Sequence, residues 1–498
     1  MKKRILSVLV AVALVTGLMS GVFADTPTPP TVKTLPNFIA PINVINPKSV
    51  RYADWIPISN RAGLEAIADG LDGKYYLTND IDLSGKEWEP IGGLYDYFTG
   101  IFDGQGYVIR NLTITKKSYY PTGLFVNTRN AVFKNVGLED TNIDIKSGAS
   151  AANDYYIGTF FGSAGGRNYK KDKHSNPIEE IDYRSVIDNC YNKGKLSVHL
   201  EVSRGRDNGG GVYIGGLVGE GGIITNSYNA ADITATASVE KVFSDSFNFY
   251  VDVGGIVCTG AGTAVTGCYN SGDIMVNSDT SGVGGIISWN YVSNGAAPIE
   301  INACYNSGNI SIYADSVAGG ISASTSGSIS NCYNTGEIFV EDDCSSGGIY
   351  GSSYVRSKIS HSYSYTDGEG IIGTESFTAK QMQQQSSFVG FDFDNVWTFI
   401  NGENDNMPVL LTFYDYEKAN PTTGLTFKLG HVLGNETITI SDVLEILKHL
   451  AKLDSEISNN PDSFKAACIV GEVPTINDAL EILKYLAKLD NEIEVKTA

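Results

Sequence analysis

The sequence predicts a mainly β protein: a right-handed parallel β-helix with helical caps, followed by a small all-α pair. Three observations carry this. A Gly-Gly-aliphatic segment and a Cys/Ser-Tyr-Asn triplet alternate along the middle of the chain. The tyrosines of successive triplets (191, 228, 269, 305, 333, 363) lie 37, 41, 36, 28 and 30 residues apart, a period that signals a solenoid. After Tyr414 the composition changes abruptly to two near-identical amphipathic segments.

The chain begins with an address. Lys2, Lys3 and Arg4 precede an apolar run from Ile5 to Val15, and Val22-Phe23-Ala24 supplies cleavage positions. Residues 1–24 are expected to be a signal peptide, the apolar run being too short for a membrane anchor. No later run approaches membrane-spanning length. The expected location is extracellular, secreted or surface-associated. Residues 25–50, with prolines at 27, 29, 30, 36, 41 and 47, read as an extended linker.

Residues 51–122 are expected to hold the amino-terminal cap and the first rungs. Leu64, Ile67 and Ala68 recur at helical spacing, and Gly70 stops the helix. Residues 123–375 hold the repeats. Their Gly-Gly half-motif stands at Gly215-Gly216, Gly254-Gly255, Gly284-Gly285, Gly319-Gly320 and Gly347-Gly348. The pieces between turns are strand-length, with no helical period. Stacked copies therefore predict one rung per repeat, pairing with its neighbours about 4.8 Å away. Such a coil needs both ends closed. Residues 376–414 are the expected carboxy-terminal cap, and 415–429 a linker.

Residues 430–498 are the helical pair. TISDVLEILKHLAKLDSEI from Thr439 repeats as TINDALEILKYLAKLDNEI from Thr475, an offset of 36 residues.

The segments GGLVG, GGIV and GGII with their NSYN and CYN partners resemble the GLUG-motif proteins of bacterial surfaces. So do the opening LTNDIDLSGKEWEPIG…FTGIFDGQGYVIRNLTI and the closing FDFDNVWTF…MPVL. The resemblance covers roughly residues 54–412 and implies architecture and surface location, with no defined ligand. The helical pair resembles a type I dockerin, a duplicated calcium loop plus helix that a cohesin-like domain of a scaffold or surface protein grips. That resemblance implies partner contacts at Lys448-His449 and Lys484-Tyr485, where such modules often carry Lys-Arg. It implies calcium ligands at Asn435, Asp442 and Asp478. The other ligand positions of the first loop fall on His431 and Leu433. Calcium needs oxygen ligands, so binding is expected to be weak or absent, and no other cofactor is expected.

Columns of side chains follow from the repeat. Asn192, Asn229, Asn270, Asn306 and Asn334 share one rung position and are expected to form a structural ladder. Cys268, Cys304 and Cys332 share another with Ser227 and Ser362, either as small buried side chains or as candidates for a disulfide or a metal. Tyr191, Tyr228, Tyr269, Tyr305 and Tyr333 form a stacking platform for a ligand if they face outward, and core if they face inward. A straight strand would bury Tyr333 with Ile329; a bend at Asn331 would reverse that. Asp279, Asp315 and Asp343 each lie five residues after the repeat's Ile and offer a further calcium position.

Charge narrows the partners. The chain carries a net charge of −20, which becomes −23 without the three cations of residues 1–24. That disfavours nucleic acid and anionic lipid and tolerates neutral glycans and basic protein patches. No clustered carboxylates with a basic partner are evident, and the five histidines (174, 199, 361, 431, 449) are scattered. Catalysis is therefore not expected. The expected function is a surface or adhesin-like protein that binds or displays glycan or protein ligands. The alternatives are a carbohydrate-active enzyme of cellulosome type and a structural spacer. The basic insert from Gly166 to Ile181 is expected to be a loop off the coil.

Overall fold

The computed structural model describes residues 54–115, 121–150, 154–171, 177–203, 210–239, 249–278, 280–289, 298–313, 315–341, 344–353, 358–365 and 375–413. Of the carboxy-terminal part it describes 432–433, 438–451, 455, 457, 466–468 and 474–487. The expected signal peptide and both linkers lie outside these residues.

Gly and Asn interrupt every β-branched or aromatic run, so the strands are mostly short and the turns tight. Each strand pairs in parallel with the copy of itself one repeat away. Tyr191 stands opposite Tyr228, then Tyr269, Tyr305, Tyr333 and Tyr363. Four stacked faces result. The first has ten strands, from Ile56–Ile58 to Lys358–Ser360. The second is the broadest, with fifteen strands that include every Tyr-Asn pair. The third has six strands, Tyr155–Gly158 to Ser345–Gly347, and the fourth seven, Phe125–Asn127 to Tyr350–Ser353. This is the stacked parallel arrangement of a β-helix. Among the described residues, antiparallel pairing occurs twice: in the hairpin of Arg167–Lys171 with Pro177–Asp182, which is the basic insert, and between Trp397–Phe399 and Pro408–Leu410.

The interior is one continuous aliphatic stripe. Ile187, Ile224, Val265, Ile301 and Ile329 enter it from the first face, and Leu196, Ile233, Ile274 and Ile310 from the second, all fully buried. At its amino-terminal end five phenylalanines (98, 102, 125, 133, 161) interlock with ring centroids 4.5–6.5 Å apart. That end is closed by helix α1, Arg61–Glu65, and the 3-10 turn after it. The Asn60 side chain caps α1 by accepting from the Gly63 N–H at 2.9 Å. Leu64 and Ile67 plug the first coil.

One backbone feature sets which residues face inward. Before each Cys/Ser-Tyr-Asn triplet stands a residue in the left-handed region: Asn189, Asn226, Gly267, Ala303, Asn331 and His361, with φ between 46° and 64°. This single-residue corner shifts the side-chain parity. Ile329 and Cys332, three apart, both point into the core, and Tyr333 points out of it.

A further segment follows the coil's last strand, Glu375–Phe377. It contains helix α2, Ala379–Met382, and the short hairpin, and it folds back along the outside over the tyrosines. Helices α3, Ile440–Leu450, and α4, Ile476–Leu486, pack on each other through Val443, Ile446, Ala479 and Ile482. No helix among the described residues is long and apolar enough to cross a membrane.

Candidate functional site

The inner columns are structural in geometry. Each asparagine donates through Nδ2 to the Oδ1 of the next: Asn192 to Asn229 at 3.0 Å, Asn229 to Asn270 at 2.9 Å, Asn270 to Asn306 and Asn306 to Asn334 at 2.8 Å. The Thr141 hydroxyl closes the amino-terminal end by donating to Asn192 at 2.8 Å. All five asparagines are buried. The Gly-Gly motif makes room for them. A Cβ on Gly216, Gly255, Gly285 or Gly320 would stand 2.3–2.6 Å from the ladder's Cγ atoms and nearer still to the next coil's carbonyl. The two half-motifs are thus two sides of one contact.

The Cys/Ser column answers the left-handed corner. Each member donates to the carbonyl two residues before it, from Cys268 Sγ to Thr266 at 3.3 Å and Cys304 Sγ to Asn302 at 3.2 Å to Ser227 Oγ to Thr225 at 2.6 Å. A small buried donor is what the place requires, which is why Ser and Cys interchange. None of the seven cysteines is in a disulfide. Burial pushes those of Cys190, Cys268 and Cys332 well up, so they stay protonated.

The tyrosines form an outer stack. Rings from Tyr191 to Tyr333 follow one another at 4.7–5.0 Å and within 8° of parallel. Their faces are therefore occupied by one another. Tyr305 and Tyr333 are buried beneath Trp397, Phe388 and Phe391, and Phe413 sits edge-on to Tyr228 and Tyr269. The Tyr333 hydroxyl donates to the Pro408 carbonyl and accepts from Asn404 Nδ2 at 2.6 Å. The platform is thus taken up by the chain's own outer segment. Only the edges of Tyr191, Tyr228 and Tyr269 are half-exposed, with Lys193 Nζ 5.0 Å from the Tyr191 ring centroid.

A group with no sequence signature gathers where the third and fourth faces meet. Tyr156 and Tyr213 stack at 5.0 Å, with Asp252 next in their register. Glu220 lies on the adjoining face, bonded by Ser163 Oγ at 3.0 Å, and Asp154 accepts from Gly211 N–H at 3.2 Å. Burial pushes all three carboxyls up, Asp252 to about 7. These residues come from different coils, so no spacing in the chain announces them.

The helical pair uses its acidic residues internally. Asp442 Oδ2 accepts from Thr439 N–H and Oγ1 at 2.8 and 3.0 Å, and Oδ1 accepts from Leu433 N–H at 2.9 Å. Asp478 caps α4 in the same way through Thr475. Aliphatic Val432 and Leu433 stand beside Asp442, a donor set that does not suit calcium; Asn435 lies outside the described residues. Among those residues no three His, Cys, Asp or Glu side chains converge as a metal site. Asp279 and Asp343 also lie outside them, as does the side chain of Asp315. Lys448 and Lys484 are tied to the largely buried Glu445 and Glu481 at 2.6 and 2.5 Å. His449 and Tyr485 are half-buried, and burial pushes His449 down against the opposing influence of Asp394.

What the pair leaves open is apolar. Ile440, Leu444, Leu447 and Leu450 on α3, and Ile476, Leu480, Leu483 and Leu486 on α4, are 39–63% exposed. Each helix thus buries one apolar stripe in the pair and presents a second to solvent. The duplicated sequence places the two open stripes at equivalent positions. Alternation alone hides this, because both faces read as leucine and isoleucine.

No protein-family model matches the chain, and no curated protein matches it. Among solved structures, a candidate immunoglobulin A1 protease from Bacteroides ovatus is similar over 73% of this chain and 94% of its own, at 19% identity and a TM-score of 0.43. A structure named IgA1 protease is similar over 80% of this chain, at 15% identity and a TM-score of 0.44. The match takes in 27% of that protein's length.

Proposed function

We propose a secreted, non-catalytic surface or adhesin-like protein whose right-handed coil, of the GLUG kind, binds or displays glycan or protein ligands. Its degenerate dockerin-like all-α module attaches it to a cohesin-like domain of a scaffold or surface protein. One observation supports this most: the two equivalent apolar stripes on α3 and α4. Solvent-facing stripes of that kind mark an interaction surface. The capping roles of Asp442 and Asp478 support attachment that does not depend on calcium.

The test is a pull-down with the full mature chain as bait against cohesin domains. The Leu444→Ser/Leu480→Ser double variant should lose the partner while retaining its fold. A chelator should change nothing; a chelator-sensitive complex would refute calcium independence. A complex indifferent to the double variant would refute the docking face.

The second reading, a carbohydrate-active enzyme, has one observation in its favour. Asp154, Glu220 and Asp252 are carboxyls raised by burial beside two stacked tyrosines, the kind of perturbation acid catalysis uses. Reducing ends released from xylan or pectin, and abolished by Asp252→Asn, would establish it over the binding reading.

A further inference from the structure

Beyond the Asn-Gly turn the second face continues as unusually long strands, Gly137–Ser150, Tyr191–Ser203 and Asp232–Val239, before shortening to Ile274–Asn277, Ile310–Ile312 and Ile338–Val340. Alternation turns Leu196, Ile233, Ile274 and Ile310 inward. Two columns are left on the outer surface. One runs Lys146, His199, Thr236, Asn277 in register. The other runs Asp144, Ser197, Thr234, Met275, Ser311, Phe339.

The first column lines a cleft of about 580 Å³, with Leu200 and Ala237 as its apolar lining and Glu201 and Ser238 beside them. Its charged lining residues are Lys146 and Glu201. Lys146 Nζ is 2.9 Å from Asp144 Oδ2, and His199 Nδ1 shares a hydrogen bond with Thr236 Oγ1 at 2.8 Å. Further along the same face three large apolar side chains stand free in solvent: Met275, Tyr313 and Phe339, 47%, 44% and 53% exposed. Tyr313 follows the strand Ile310–Ile312, its N–H bonded to the Val276 carbonyl.

Hydroxyls, an amide and an imidazole over an apolar lining, followed by exposed aromatic faces, match one chemistry. A pyranose offers a rim of hydroxyls and a flat C–H face. Glu201 in the cleft and the acidity of the chain disfavour a polyanion. The rungs repeat about every 4.8 Å, a step comparable to one unit of an extended sugar chain.

We propose that this outer strip binds neutral oligosaccharides across the coils, with His199, Thr236 and Asn277 bonding hydroxyls and Tyr313 and Phe339 stacking under successive units. This rests on the reading that the coil carries a glycan and gives that reading a place.

Calorimetry on the full mature chain with cellohexaose, xylohexaose, mannohexaose and hexagalacturonate tests it. At least one neutral hexamer should bind. Its affinity should fall about tenfold or more in Asn277→Ala and in Phe339→Ala, with thermal stability unchanged because both side chains are exposed. Failure of all four to bind, or binding by hexagalacturonate alone, would overturn the proposal. So would binding that survives both substitutions. Affinity lost instead in Tyr228→Ala would overturn this site while leaving a glycan-binding coil standing. The Leu444→Ser/Leu480→Ser chain should bind the sugar normally, which separates this strip from the attachment face.

Discussion

The asparagine and tyrosine columns stand one residue apart in every repeat, and they solve opposite problems. The asparagines face inward. Within the column each one's donor and acceptor are met by the copies above and below and by a carbonyl two residues on, as from Asn270 Nδ2 to Gly272 at 2.8 Å. The column is complete as soon as the coils stack. The tyrosines face outward and satisfy only their ring faces by stacking. Their edges and hydroxyls need something else: residues 375–413 supply it from Tyr228 onward, and the Tyr191 hydroxyl donates to Glu139 Oε1 at 3.0 Å. A ladder of hydrogen bonds closes on itself; a ladder of rings needs a cover. The difference can be broken at either side.

The largest effect should come from Asn270→Ala. It removes the acceptor of Asn229 and the donor to Asn306 in a dry interior, at about 1–3 kcal/mol for each group left unpaired. Denaturant unfolding should show a loss of about 3–5 kcal/mol, felt by coils on both sides. A loss under 1 kcal/mol would mean the ladder is decorative. Trp397→Ala should cost about 3 kcal/mol, and locally. Hydrogen exchange should quicken in 377–410 while the ladder's amides keep their protection. Uniform loss of protection would show that the cover and the coil are one cooperative unit.

Asp252 is a contrasting case, a buried carboxyl outside any ladder, held by the Gly282 N–H alone among the described residues. Burial raises it from 3.8 to about 7. A carboxyl raised on folding favours the folded state while it is protonated. Its contribution is full below about pH 4 and is lost as pH rises through about 7. Asp252→Asn should therefore flatten the stability profile over that window and gain up to about 4 kcal/mol at pH 8. Thermal melts of both proteins across pH 4–8 check it; parallel curves would remove the assignment. The smallest effect is expected for Cys304→Ser, under about 1 kcal/mol, because Ser227 and Ser362 already make the same bond elsewhere in the column. A large loss would point to sulfur packing between Cys268 and Cys332 that serine cannot replace.

The period of the repeat was enough to set the stacking partner of nearly every strand, since Tyr191 meets Tyr228 and Ile233 meets Ile274 as their spacing in the chain requires. In and out were not legible. Ile329, Asn331 and Tyr333 share parity, and the corner that breaks it is filled by Asn, Gly, Ala or His, too mixed a set to read as one feature. The aromatic run of 388–399 looked like an end plug. Its partners are tyrosines 25 to 92 residues earlier, Tyr363 and Tyr333 for Phe388 and Tyr305 for Trp397, and only folding brings them together. In the helical pair, the sequence pointed to Lys448, His449, Lys484 and Tyr485. The structure leaves the leucine and isoleucine stripes more exposed than those four.

Repetition, parallel stacking and the duplicated helices are properties of local pattern, because a coil pairs with its own copy and needs no information from elsewhere. Which residues end up outside, what covers them, and where polar groups from separate coils converge were decided by tertiary structure. A corner of one residue turns the side chains of a whole column, and a cleft such as that at His199 and Asn277 exists only once strands from different coils lie side by side.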